Sequence, residues 1–169
     1  MKKSFIMMIV IAISSCNNTR LSNELLGFQK QAALESMNID VVHNFYKGLD
    51  TQDTVLLNSL IDKDFKSFFG SSDEPVNFYE LKPLIKEFYT AFPDYRHNIN
   101  RVFAADDVVV CLVTFTGTHR ASFMGQLPGG NKVKYNGVQT FRIKDGRITE
   151  LYEVADDLTF MKQLGLALK

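Results

Sequence analysis

One histidine, one amide, one tyrosine and a pair of aspartates carry most of the chemistry that this sequence of 169 residues could perform. His119 closes a run of alternating apolar residues, where its ring could hydrogen-bond a ligand carbonyl or change charge near pH 6.5. His43 and His97 have no second histidine or carboxylate at ligand spacing, so no metal site is expected. Asp156 and Asp157 stand before a short terminal helix. One of them caps that helix, and if Asp157 does so Asp156 is free to face a pocket. Tyr152 and Gln139 lie on strands where they could orient a bound molecule, and Phe68 could line an apolar wall. The spacing Gly125-x-x-x-x-Gly130 is followed by Asn131-Lys132-Val133 and joins two strands, so it lacks the Lys-Ser/Thr and the helix of a phosphate loop. Cys111 sits among Val and Leu and reads as a small buried hydrophobe, not a nucleophile.

These residues need elements to hold them, and the chain supplies helices first and strands afterwards. Ile39, Val42, Phe45, Tyr46 and Leu49 recur at helical spacing in a stretch that starts near Asn23 and is interrupted around Gly48 and Thr51-Gln52-Asp53. Asp53 caps a second helix, Thr54 to Ile61, and a short strand is expected over Phe65 to Phe69. Asn77 and Glu80 form a capping pair for a third helix from Phe78 to Phe92, whose regular part is expected to start at Pro83. From Asp94 the period changes from 3.6 to 2. Strands are expected over Tyr95 to Ala104, Val108 to His119, Lys132 to Ile143 and Ile148 to Val154, the last two joined by the turn Lys144-Asp145-Gly146. A helix over Leu158 to Leu164 then stops at Gly165. The expected class is α+β, with helices packed on a curved antiparallel sheet that forms a cone with an internal pocket.

Composition narrows the function. Lys plus Arg equals Asp plus Glu at 19 each, which argues against nucleic acid as a partner. With 14 Phe and 6 Tyr the chain has ample material for a core, so disorder is excluded. The first residues stand apart: Lys2-Lys3, an apolar run from Phe5 to Ile13, then Ser14-Ser15-Cys16, the pattern of a secretory signal. A helix over that run rises about 14 Å, too short to span a bilayer. Ile13-Ser14-Ser15-Cys16 also resembles a bacterial lipobox, which makes Cys16 a lipidation site. The alternative is an ordinary cleaved signal. The lipobox reading divides the chain into a signal peptide at 1–15, a tether and the start of the first helix at 16–36, and a domain at 37–169. It leaves a slightly acidic mature protein, because Lys2 and Lys3 depart. Asn17 after the cysteine suits an outer-membrane lipoprotein facing the periplasm or the surface.

The order of elements resembles the SnoaL-like polyketide cyclases of the nuclear-transport-factor-like superfamily. The resemblance is carried by Val41, Val42, Phe45 and Tyr46, Asp64-Phe65, Ala91-Phe92-Pro93-Asp94 and Gly117-Thr118-His119. It continues through Phe123-Met124-Gly125, Asn136-Gly137, Phe141-Arg142 and the run from Asp145 to Glu150, and covers about residues 38 to 165. The family implies a cofactor-free intramolecular aldol closure of a polyketide ester, with a buried carboxyl as acid and base. The matching carboxyl is Asp156, and His119, Tyr152, Gln139 and Phe68 would then contact a small apolar or carbonyl-bearing molecule. Departures at Phe68 and Leu151-Tyr152, where members often carry polar or His-Trp residues, favour a second reading, a non-catalytic binding or dimerisation module of the same fold. A homodimer is compatible with either.

Overall fold

The computed structural model describes the backbone of residues 3–166 and the side chains of residues 19–166. Four helices and five strands follow in the order α1 (Lys3–Asp50), α2 (Thr54–Leu60), β1 (Ile61–Phe69), α3 (Phe78–Ala91), β2 (Arg96–Ala105), β3 (Val108–Thr118), β4 (Lys132–Lys144), β5 (Arg147–Ala155) and α4 (Asp157–Gln163). The expected α+β class is what the chain adopts.

Local signals set most boundaries. The Asp53 carboxylate accepts from the amides of Val55 and Leu56 at the start of α2. At α3 the Asn77 side chain accepts from the amides of Tyr79 and Glu80, while Glu80 accepts from the Asn77 amide. That reciprocal cap starts the helix at Phe78, five residues ahead of Pro83. The carbonyl that Pro83 cannot serve belongs to Tyr79, whose exposure leaves water free to donate to it. Asp145 and Gly146 both take positive φ, 51° and 73°, as a tight hairpin between β4 and β5 requires.

Gly48 does not interrupt α1, which runs on to Asp50. A Cβ there would stand 2.9 Å from Leu57 Cδ2, so the glycine lets α2 fold closely back on α1.

The sheet has the order β1-β5-β4-β3-β2. Strands β2 to β5 form the antiparallel meander read from the sequence, while β1 joins β5 in parallel, so the sheet is mixed. Alternation along β3 places Val109, Cys111, Val113 and Phe115 inward, each at most 2% exposed. Facing them are Val42, Phe45 and Tyr46 of α1, and Leu81, Tyr89 and Ala91 of α3.

Two bulges bend the sheet. One extra residue, Asn100, separates the pairs Ile99↔Val113 and Arg101↔Leu112. Another, Thr149, separates Ile143↔Ile148 from Arg142↔Glu150. Each bulge reverses which face the following side chains occupy.

Candidate functional site

The concave face of the sheet and the helices above it enclose a cavity of about 320 Å³. Phe45 and Leu49 come from α1, Leu81, Leu84, Ile85, Phe88 and Tyr89 from α3, and Phe69 from β1. Tyr95 precedes β2, and the strands add His97, Phe115, Tyr135, Gln139, Leu151 and Glu153. Most of this wall is apolar, so the few polar groups decide what the cavity can do.

Those groups and the residues behind them fall into three hydrogen-bonded sets. The Tyr46 hydroxyl donates to Gln139 Oε1 at 2.5 Å, which turns the amide so that its Nε2 donates to Glu153 Oε2. Gln139 is 3% exposed and has both ends of its amide engaged. Burial raises the Glu153 carboxyl pKa, and the donation from Gln139 and the nearby His97 only partly oppose that shift. Burial thus favours the protonated carboxyl in the folded protein and leaves a group able to exchange a proton with a ligand. His97 Nδ1 lies 2.6 Å from Asp50 Oδ1, which ties the end of α1 to β2 and fixes the imidazole against the cavity. The hydroxyls of Tyr95 and Tyr135 meet at 2.5 Å. Burial raises both tyrosines, so both stay protonated.

Gln139 is the residue singled out from the sequence that lines this cavity. Asp156 does not. It caps α4 by accepting from the Thr159 amide at 3.0 Å, and that hydrogen bond lowers its pKa. Its carboxylate borders a groove on the opposite face of the sheet, beside Val138 and Val154. Tyr152 and Phe68 also face outward and stack on each other at 4.5 Å with ring planes 5° apart. Their pairing across β1 and β5 puts them on one face, and the bulge at Thr149 decides which. Counting by twos from the buried Ile148 turns Tyr152 inward; the extra residue turns Leu151 and Glu153 inward instead.

His119 is 1% exposed and stacks on Phe92 at 5.3 Å, outside the cavity lining, with no hydrogen bond to either ring nitrogen. The adjoining motifs are structural. Asp94 accepts from the Thr118 amide and hydroxyl, both at 2.7 Å, and so clasps the end of α3 to the end of β3.

Burial pushes the Cys111 thiol up to about 11, in keeping with an inert side chain. The Cys16 side chain lies outside the described residues. Among the described residues no group of three or more His, Cys, Asp or Glu is placed to hold a metal ion, and no helix is long and apolar enough to cross a membrane.

The sequence reading passed over Glu153, and it weighed His97 only as a metal ligand. It gave Tyr46, Tyr95 and Tyr135 no role in a site. For Glu153 the available signal was its distance of two from the apolar Leu151, readable only once Leu151 is known to face inward.

Helices packed on a curved mixed sheet, with a largely apolar cavity that holds one carboxyl between them, define the class of fold. The chain belongs to the SnoaL-like polyketide cyclase family, whose model matches residues 39–164. AclR from Streptomyces galilaeus, to which a hydroxylase activity is ascribed, superposes with a TM-score of 0.72 at 23% identity, over 78% of this chain and 97% of that one. A SnoaL-like polyketide cyclase from Jannaschia sp. CCS1 has the same TM-score at 22% identity, over 80% and 96%. IdmH from Streptomyces antibioticus, to which a polyketide cyclase activity is ascribed, gives 0.69 at 24% identity, over 76% and 99%. At these identities the likeness is one of fold, and the differing activities ascribed to AclR and IdmH show that fold does not fix chemistry. No match to a curated protein sequence was found.

Proposed function

We propose that this protein is a membrane-anchored member of the family that performs acid/base chemistry on a small carbonyl or ester compound, with Glu153 as the proton-transferring group. The carrying observation is the Glu153 carboxyl held by Gln139 within a largely apolar cavity. In its ionised form Glu153 takes a proton from a carbon flanked by carbonyls, and the electron pair left behind spreads onto their oxygens. The carbanion attacks a second carbonyl of the same molecule. The protonated Glu153 then returns its proton to the new alkoxide, so the group ends as it began. Fixed geometry supplies the remainder, because His97 and Gln139 are held by Asp50 and Tyr46 before any ligand arrives.

Incubating the full chain with a metabolite extract and identifying what is retained and converted tests this reading. A carbonyl compound converted by wild type, and retained but not converted by Glu153→Gln, is the expected result. Retention with no conversion by wild type returns the chain to the non-catalytic binding reading, which the departure at Leu151, where the cavity is lined by an apolar side chain, supports.

The anchoring reading rests on Lys2-Lys3, the apolar run Phe5 to Ile13, and Ser14-Ser15 before Cys16. Several acyl chains on one cysteine hold firmly, since each buried methylene adds about 0.8 kcal/mol. Asn17 supports an outer-membrane destination. Cys16→Ser is expected to move the protein from the membrane fraction to the soluble fraction, read by immunoblot. A mutant that stays with the membrane overturns the lipid anchor. The exposed Phe103, Leu112, Val138 and Val154 on the outer face of the sheet support a homodimer through that face.

A further inference from the structure

The hydrogen-bond donors of the cavity do not all find acceptors in the protein. The Tyr46 hydroxyl is spent on Gln139, the Gln139 amide on Glu153, and His97 Nδ1 faces Asp50. Tyr95 and Tyr135 are bonded only to each other, at 2.5 Å. A pair of hydroxyls uses one of its two protons, and the hydroxyl that accepts keeps its own. The Tyr89 hydroxyl is buried and makes no hydrogen bond of normal geometry, although the Asp50 carboxylate lies near it. Tyr89 and Tyr95 have ring centroids 6.0 Å apart, and all three tyrosines line the same cavity. Two O–H donors are therefore left over in one largely apolar space, where an unanswered donor is costly.

What is missing is an acceptor, and the ligand is its natural source. We propose that the Tyr95–Tyr135 pair, with Tyr89 beside it, is a cradle for a single acceptor oxygen carried by an apolar ligand: a ketone, or the enolate or phenolate related to it. The apolar body follows from the aromatic walls. Phe115 lies 5.0 Å from Tyr135 and Phe88 lies 4.6 Å from Tyr95, centroid to centroid. The inference deepens the proposed function and rests on its reading of the cavity as the ligand site. As Glu153 removes a proton from the ligand, charge grows on the carbonyl oxygen. Preplaced hydroxyls in a water-poor site stabilise that charge more than they stabilise the neutral ketone. The donors remain protonated for this task because burial raises the pKa of each tyrosine.

The test uses 4-nitrophenol, a flat phenol whose visible absorption separates phenol from phenolate. Titrated with the full chain against a detergent blank, it is expected to bind with the phenolate fraction raised above that in solution. Tyr135→Phe and Tyr95→Phe each keep the ring and remove one hydroxyl, and each is expected to weaken binding about tenfold, as loss of one hydrogen bond to a charged oxygen does. Binding within twofold of wild type in both variants, or no binding to wild type, overturns the cradle. Glu153→Gln separates this outcome from the proposed function. Removal of its negative charge should strengthen phenolate binding while conversion of the retained compound is lost. If Glu153→Gln converts that compound normally while the tyrosine variants still lose 4-nitrophenol, the acid/base reading falls and the cradle stands.

Discussion

Glu153→Gln is expected to lower turnover by about 10²- to 10⁴-fold, the range for loss of a positioned acid or base, and at the same time to make the protein more stable at alkaline pH. The two effects have one cause. The glutamine has nearly the same shape, and its Oε1 can still accept from Gln139 Nε2, so the chain Tyr46–Gln139–residue 153 survives. What disappears is the ability to exchange a proton. In the folded wild type, burial raises the carboxyl pKa above its value in the unfolded chain. Folding therefore takes up a proton, and stability falls as pH rises from the ordinary carboxylate range through the raised value. The variant cannot ionise there, so its melting temperature should exceed that of wild type on the alkaline side and converge with it in acid. A melting curve at several pH values and a turnover assay check both halves. Loss of turnover in Asp156→Asn with Glu153→Gln active would return the role to Asp156, which the fold otherwise employs as the cap of α4.

Phe141→Ala is expected to cost about 3–5 kcal/mol, as truncation of a buried phenylalanine does. A domain has about 5–15 kcal/mol in total, so this variant sits near the limit of folding. Phe141 is fully buried in the second half of β4, edge-on to Phe45 at 5.5 Å and to Tyr46 at 5.7 Å. It is the point at which α1 rests on the sheet, and α1 also delivers Tyr46 and Asp50 to the polar set. Truncation should thus weaken the Tyr46–Gln139 bond as well as the core. Leu127→Ala, on a side chain 83% exposed, should change stability by less than about 0.5 kcal/mol. Urea unfolding of the two variants separates the cases, and similar midpoints would contradict the placement of α1.

Much of the molecule was legible from neighbouring residues. Asp53, the Asn77–Glu80 pair, Asp145-Gly146 and Gly165 act through bonds or dihedrals within a few residues, so their effect does not depend on the remainder of the chain. The period-2 pattern of β3 likewise gives the inner set Val109, Cys111, Val113 and Phe115 without a structure. Gly48 was misleading for a related reason. A glycine lowers helix propensity locally, but here the close approach of Leu57 repays it.

The site was less legible. Gln139 lines the cavity as its place on β4 suggested, whereas Tyr152 and Phe68 face outward and Asp156 caps a helix. Thr149 accounts for the first of these differences. A bulge is a property of the pairing of two strands, since the extra residue exists only relative to the partner that skips it. No period read along β5 alone can contain it. Glu153 therefore faces the cavity through the pairing of β5 with β4, and Tyr46 from α1, Tyr95 just ahead of β2, His97 at the start of β2 and Tyr135 from β4 complete the polar groups around it.

The overall charge balance, the local caps and the periodicities were determined by the sequence alone, and so were the α+β class and the order of its elements. The tertiary structure decided that β1 pairs in parallel with β5, which face of β5 looks inward, and which carboxyl shares a cavity with which hydroxyls. The division follows range: caps and turns are settled by atoms a few residues apart, whereas a site is settled by contacts such as Tyr46 with Gln139, 93 positions apart in the chain.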